Sequence, residues 1–184
     1  MTPTAPSSRA LFDPNAEAVV LRSIELMGGG LLEEFHELIH PECVNHEAKA
    51  EPPAARGRGP EAMYATAQWL QAAYADLTWE IHEVLVERDL VAVHCTMSGH
   101  QVGDFVTYTE DGAVGDVFPP TGKRFATTQS HWFRVCDGKV VEHWANRDDL
   151  GTAQQLGWVP PTPPYLLRMA RAKRRARRRE RAAA

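Results

Sequence analysis

Residues 124–147 read RFATTQSHWFRVCDGKVVEHWANR, two alternating runs on either side of Asp137-Gly138. An Asp-Gly pair between such runs signals a two-residue hairpin, whose central residues both need positive φ. With Asp137 and Gly138 as the loop, Cys136 faces Lys139 and the later pairs follow in step. Val135 then meets Val140, Phe133 meets Glu142, His131 meets Trp144, Gln129 meets Asn146 and Thr127 meets Asp148. Side chains alternate across a strand, so all of these share one face. That face grades from apolar at the turn to Gln129, His131, Trp144, Asn146 and Asp148 at its far end. Two readings follow: the polar end of a pocket, or a solvent-facing surface with ordinary polar residues. A slip of one residue exchanges the faces.

Upstream of the hairpin the period is helical. Asp13-Pro14 has the form of a helix start, with Asp at the N-cap and Pro in the first turn. Val20, Ile24 and Met27 recur at helical spacing until Gly28-Gly29-Gly30 ends the run. Leu31, Leu32, Phe35, Leu38 and Ile39 make a second stripe, stopped by Pro41. Residues 41–58 read as loop, and Gly59-Pro60 opens a third helix carrying Met63, Ala67, Leu70 and Tyr74. The period then changes to two, with strands expected over 79–86, 90–98, 124–135 and 139–147, and a short helix over 150–156. Helices followed by an antiparallel meander give an α+β class, the helices covering one face of a curved sheet. The 184 residues suit a single domain. We divide them into a disordered lead (1–12), an α+β domain (13–158) and a Pro-rich linker with a basic tail (159–184).

Charge is divided along the chain. Residues 168–184 hold nine Lys/Arg against Glu180 alone, a net of +8, which leaves −12 on residues 1–167. The acidic body argues against nucleic acid as a specific partner, while the tail alone could meet an anionic surface. The tail is otherwise expected to be a solvated segment. No apolar run approaches the ~20 residues of a membrane span, and the start lacks the apolar stretch of a secretory signal, so a cytoplasmic protein is expected. Cys43, Cys95 and Cys136 are odd in number and far apart, supporting neither a disulfide framework nor a cysteine zinc site. His36-Glu37-Leu38-Ile39-His40 fits H-E-x-x-H literally. Pro41 pushes His40 out of helical geometry, however, which breaks the one-turn alignment a zinc site needs. No metal or cofactor is expected.

Six segments in order carry a resemblance: HPECVNHEA (40–48), RGPEAM (58–63), SGHQVGDF (98–105), PPTGKRF (119–125), HWFRVCDGKVVEHW (131–144) and DDLGTAQQLG (148–157). Together they resemble the SnoaL-like polyketide cyclases, or ester cyclases, of the nuclear transport factor 2-like superfamily. The resemblance implies a cone-shaped α+β barrel with N-terminal helices enclosing a cavity. It also implies intramolecular aldol closure of a ring on a hydrophobic, polyketide-like carbonyl substrate, or related lyase or isomerase chemistry. Homodimers are usual in such proteins.

By that resemblance, Asp148 matches the general acid/base before the last helix, Asn45 a cavity-lining amide, and His131 the His of the H-x-x-R strand. Gln101 occupies the slot of an assisting His. It can donate to an enolate oxygen but cannot carry a proton. We assign Asp148 as base, His131 as orienter or proton donor, and Asn45 and Gln101 as oxyanion donors. An N-cap role for Asp148 is the structural alternative. Trp144 is expected in the cavity wall, with Asn146, Gln129 and secondarily His46 against substrate, and Glu142 as partner of an Arg or a loop. Residues 106–118 are longer than the family's connection and read as a flap or extra hairpin at the cavity mouth. Two alternatives to a cyclase remain: a non-catalytic small-molecule-binding or scaffold module of the same fold, and an epoxide-hydrolase-like enzyme in which an Asp–Arg–Asp network activates water.

Overall fold

The computed structural model describes residues 14–183. The expected lead and the Asp13 cap lie outside them. Helices α1 (Ala16–Leu26) and α2 (Leu32–Leu38) lead into strand β1 (Ile39–Asn45), and two short 3₁₀ turns precede α3 (Gly59–Ala73). Strands β2 (Tyr74–Glu87) and β3 (Leu90–Gln101) follow, then a hairpin of β4 (Phe105–Tyr108) and β5 (Val114–Phe118). The chain continues through β6 (Arg124–Cys136), β7 (Lys139–Arg147), α4 (Asp149–Leu156) and α5 (Pro163–Ala183). The main sheet runs β1-β7-β6-β3-β2, with β4 and β5 as a separate two-stranded flap. It is the expected α+β architecture of a curved sheet with helices.

One strand escaped the sequence reading. β1 lies in the stretch taken as helix end and loop, and it pairs in parallel with β7. Its HPEC run contains a proline and does not alternate cleanly. Both are tolerable because β1 is a sheet edge, where a missing N–H costs no ladder bond. His40 therefore sits on a strand while His36 is on α2. His36 meets Glu61 at 3.3 Å, and His40 Nδ1 accepts from the Glu42 N–H.

The Asp137-Gly138 turn forms as read, with φ of 51° and 73°. Cys136 opposes Lys139 and Val135 opposes Val140, but the register then shifts and Arg134 opposes Glu142. Val141 is an extra residue with no counterpart on β6, a β-bulge. From there outward every partner differs by one from the in-step count: Phe133 with His143, Trp132 with Trp144, His131 with Ala145 and Gln129 with Arg147.

The core lies between the inner sheet face and α1–α3. Val20, Ile24, Phe35, Met63, Val93 and Phe133 are among its buried members. A second cluster joins Tyr74, Met97, Phe125, Leu156, Trp158 and Tyr165 at the other end. α5 is not the solvated tail expected. Tyr165 and Ala172 are buried, Ala172 packs with Val114 and Val117 of the flap, and Lys173 pairs with Asp116 at 2.9 Å. The small residues at 172 and 176 let the helix lie close on the flap, leaving most of its arginines outward. Among the described residues no helix is long and apolar enough to cross a membrane.

Candidate active site

A cavity of about 300 Å³ opens between the inner sheet face, α3 and the flap. Its walls are largely apolar: Met63, Trp69 and Leu70 come from α3, Trp79 and Met97 from the sheet, and Phe105 from the flap. Polar groups gather on one side, where β6, β7 and the segment after β1 meet.

The register explains that grouping. β6 presents Gln129, His131 and Phe133 on the inner face, and beyond the bulge β7 presents His143 and Arg147. The parallel pairing of β1 with β7 sets Asn45 opposite His143. A continuous chain results. Asn45 Oδ1 stands 3.0 Å from His143 Nδ1, His143 Nε2 3.0 Å from His131 Nδ1, and His131 Nε2 2.8 Å from Gln129 Oε1.

Burial lowers the pKa of both imidazoles. That of His131 falls to about 4, with Arg147 adding a smaller effect, and that of His143 falls well below its ordinary value, helped by His131, Arg147 and His46. Both are therefore neutral at pH 7, with one N–H each. Asn45 Oδ1 is fixed as an acceptor by the Glu47 N–H at 3.1 Å, so His143 donates to it and then accepts from His131 Nδ1. His131 Nε2 is left without a proton. The neutral chain closes only when the Gln129 amide turns its NH₂ to that nitrogen, since an amide oxygen there would need a third proton on the pair. His131 is thus an orienter of Gln129, whose amide lies at the cavity wall between that imidazole and the Met97 sulfur at 3.2 Å.

Among the described residues three carboxyl side chains also reach the cavity, and none is Asp148. Glu47 Oε1 accepts from the Ala145 N–H at 3.1 Å, and Oε2 lies 3.7 Å from Arg147. Ala145 opposes His131 in the ladder, so the Glu47 carboxylate is held against the strand position across from that imidazole. Asp149 stands at the rim, its side chain 77% exposed and 3.6 Å from Arg147. Glu51 is only 2% exposed, and burial raises its pKa against the opposing hydrogen bond from Thr66.

Of the residues expected at the site, Asn45, Gln129 and His131 line the cavity. The others do not. Asp148 is exposed and is the N-cap of α4, its Oδ1 accepting the Gly151 N–H at 2.7 Å. A side chain at 151 would overlap that carboxylate, which accounts for the glycine. The helix-end alternative describes its position, because the bulge turns the end of β7 away from the in-step count.

Gln101 is fully buried but serves as a tie between segments. Its Oε1 accepts from the Trp158 indole N–H, the Thr121 N–H and the Thr121 hydroxyl, while Nε2 donates to the Phe118 carbonyl at 3.0 Å. Those bonds leave it no group for an oxyanion. Trp144 and Asn146 fall on the outer face for the same bulge reason, Trp144 beside Trp132 rather than in the cavity wall. His46 pairs with Glu142 at 2.8 Å and meets the Trp144 ring edge-on. Glu142 also meets Arg134 at 3.3 Å, the structural role read for it. Sequence reasoning missed His143, Arg147, Glu47 and Glu51. In the in-step count His143 and Arg147 fall on the face of β7 opposite Trp144 and Asn146, and nothing local marks the two glutamates.

Comparison with known proteins agrees with this architecture. Residues 17–156 match the family model of the SnoaL-like polyketide cyclases. Aklanonic acid methyl ester cyclase DnrD of Streptomyces peucetius is 33% identical over 147 residues, 79% of this chain and 92% of that protein. Nogalonic acid methyl ester cyclase of Streptomyces nogalater is 29% identical over 134 residues, 70% of this chain and 87% of that protein. Among solved structures, TsrD from Streptomyces laurentii superposes with a TM-score of 0.63 at 25% identity, covering 79% of this chain and 98% of that one. The chain belongs to the SnoaL-like polyketide cyclase family.

Proposed function

We propose that this protein closes a ring by intramolecular aldol addition on a hydrophobic, polyketide-like ester of the aklanonic or nogalonic acid methyl ester class. The observation that carries the reading is the Glu47 carboxylate held against Ala145, opposite the His131–His143–Asn45 chain, in an otherwise apolar and aromatic chamber.

The hydrogen on a carbon between two carbonyls is acidic enough for a carboxylate to remove. Glu47 takes that proton, and the electron pair moves onto the neighbouring carbonyl oxygen as an enolate. The Gln129 amide, fixed through His131, stabilises the oxyanion. The enolate carbon then attacks a second carbonyl carbon. A C–C bond forms, the C=O π pair becomes an alkoxide, and that oxygen takes up a proton. The product is an isomer of the substrate.

A second reading has its own observation. Arg147 between Glu47 and Asp149 is a carboxylate–guanidinium–carboxylate row at the cavity wall, suited to activating a water for epoxide opening. Asp149 is largely in solvent, which screens its share of that work.

Incubation with aklanonic acid methyl ester, followed by chromatography and mass spectrometry, separates the readings. Aldol closure gives a new species of unchanged mass, abolished in Glu47→Gln. Opening of an aryl epoxide probe adds one water. Tight binding of either compound with neither product indicates a binding module and overturns the proposal.

A further inference from the structure

Ring closure needs a proton donor as well as a base, and the neutral imidazole chain spends its protons internally. We infer that Glu51 is that donor: its carboxyl, seated on Thr66 in the cavity wall, gives a proton to the ligand's carbonyl oxygen. This rests on the ring-closure reading for its chemical step, but the contact with the ligand oxygen is a separate claim.

The geometry is specific. Glu51 follows the first short 3₁₀ turn after β1, is 2% exposed and lines the cavity. The Thr66 hydroxyl lies 2.5 Å from Oε2. Among the described residues no protein group is hydrogen-bonded to Oε1, which leaves that oxygen for a ligand. Thr66 Oγ1 also lies 3.4 Å from the Ala62 carbonyl one turn back. With the Thr66 hydroxyl donating to Oε2, the neutral acid carries its single proton on Oε1, the oxygen left for the ligand.

The charged groups that bear on Glu51 are Glu47 on one side and Arg147 and Arg56 on the other. Glu47 disfavours a second negative charge, and burial does so more strongly, whereas the two arginines and the Thr66 bond oppose them. Glu47 is set differently, with a guanidinium and a backbone N–H on its oxygens. Two carboxyl groups in one cavity are thus given opposite tasks by their surroundings, the arrangement that assigns an acid and a base. In the reaction, the alkoxide oxygen takes the Glu51 proton as its C–O π bond closes onto oxygen. Glu51 is left as carboxylate and Glu47 as acid, and one proton passing from Glu47 to Glu51 resets the pair.

Infrared difference spectroscopy tests the contact without turnover. At pH 7 the wild type should show a protonated-carboxyl C=O band that is absent in Glu51→Gln, retained in Glu47→Gln, and shifted when a non-cyclising aryl β-diketone binds. A wild type lacking the band, or a band that the diketone leaves unmoved, overturns the inference. With substrate, Glu51→Gln should lower kcat by ~10²-fold or more with KM within a few-fold. Thr66→Val, which keeps the carboxyl and removes a bond favouring its ionised form, should move the alkaline limb of the kcat profile to higher pH. An unmoved limb counts against Glu51. A diketone-shifted band in a wild type that turns over no substrate overturns ring closure while leaving Glu51 as the ligand's donor.

Discussion

Phe133 lies opposite His143 in the β6–β7 ladder, their rings 4.7 Å apart, because Val141 interrupts β7 with one unopposed residue. That residue decides which half of β7 reaches the cavity. His143 and Arg147 go in, and Glu142, Trp144 and Asn146 go out.

Deleting Val141 is therefore expected to remove the bulge and leave those faces as they are. Glu142 then follows Val140 directly and still meets Arg134, and His143 still meets Phe133. The expected outcome is a variant that keeps a cooperative thermal transition by circular dichroism. Loss of that transition would show that the sheet needs the local twist of the bulge to close over its core.

Asp148 supplies a cap, so its removal should be read in stability and not in chemistry. Asp148→Ala exposes the Gly151 N–H and is expected to cost about 1 kcal/mol. Turnover should stay within about twofold, the scale of variation for a group outside the transition state. Paired urea melts and initial rates check this. A 10²-fold fall in kcat with unchanged stability would return Asp148 to the role its family position implies.

The imidazole pair makes stability depend on acid in a definite direction. Both histidines have folded pKa values below the unfolded value of about 6.5, so the unfolded chain binds more protons in the interval between. Their contribution is complete above about pH 6.5 and is lost as pH falls towards about 4, where His131 titrates. Glu51 works in the opposite sense, its raised pKa favouring the folded state at low pH and losing that contribution as pH rises. Melting temperatures between pH 7 and 4 should fall for the wild type and fall less for a His131→Gln, His143→Gln double variant. Equal slopes would contradict a neutral buried pair.

Much of the frame could be read from local chemistry. The positive-φ turn at Asp137-Gly138, the glycine stop at Gly157 and the change of period after α3 are short-range signals, and each marks an element that forms. The extra hairpin at 106–118 was visible as excess length, and β4 and β5 occupy it. Gln129 and His131 share the face of Phe133, as alternation requires, because β6 has no bulge between them, and the pocket reading of that face describes where they lie.

What escaped depends on neighbours distant in sequence. β1 is a strand only because β7 offers it an edge, and that pairing alone sets Asn45 beside His143. α5 lies down because the flap presents Val114 and Val117 to Ala172, a contact no helical pattern announces. Val141 can bulge without any mark in its side chain, since a bulge trades one ladder position for local twist and costs little where the sheet must curve. Composition and periodicity thus settled the α+β class and the face that Gln129 and His131 share with Phe133. The partner of each strand, and with it which carboxyl groups enter the chamber, was settled by packing, because alternation fixes faces only up to a one-residue slip that the assembled sheet must choose.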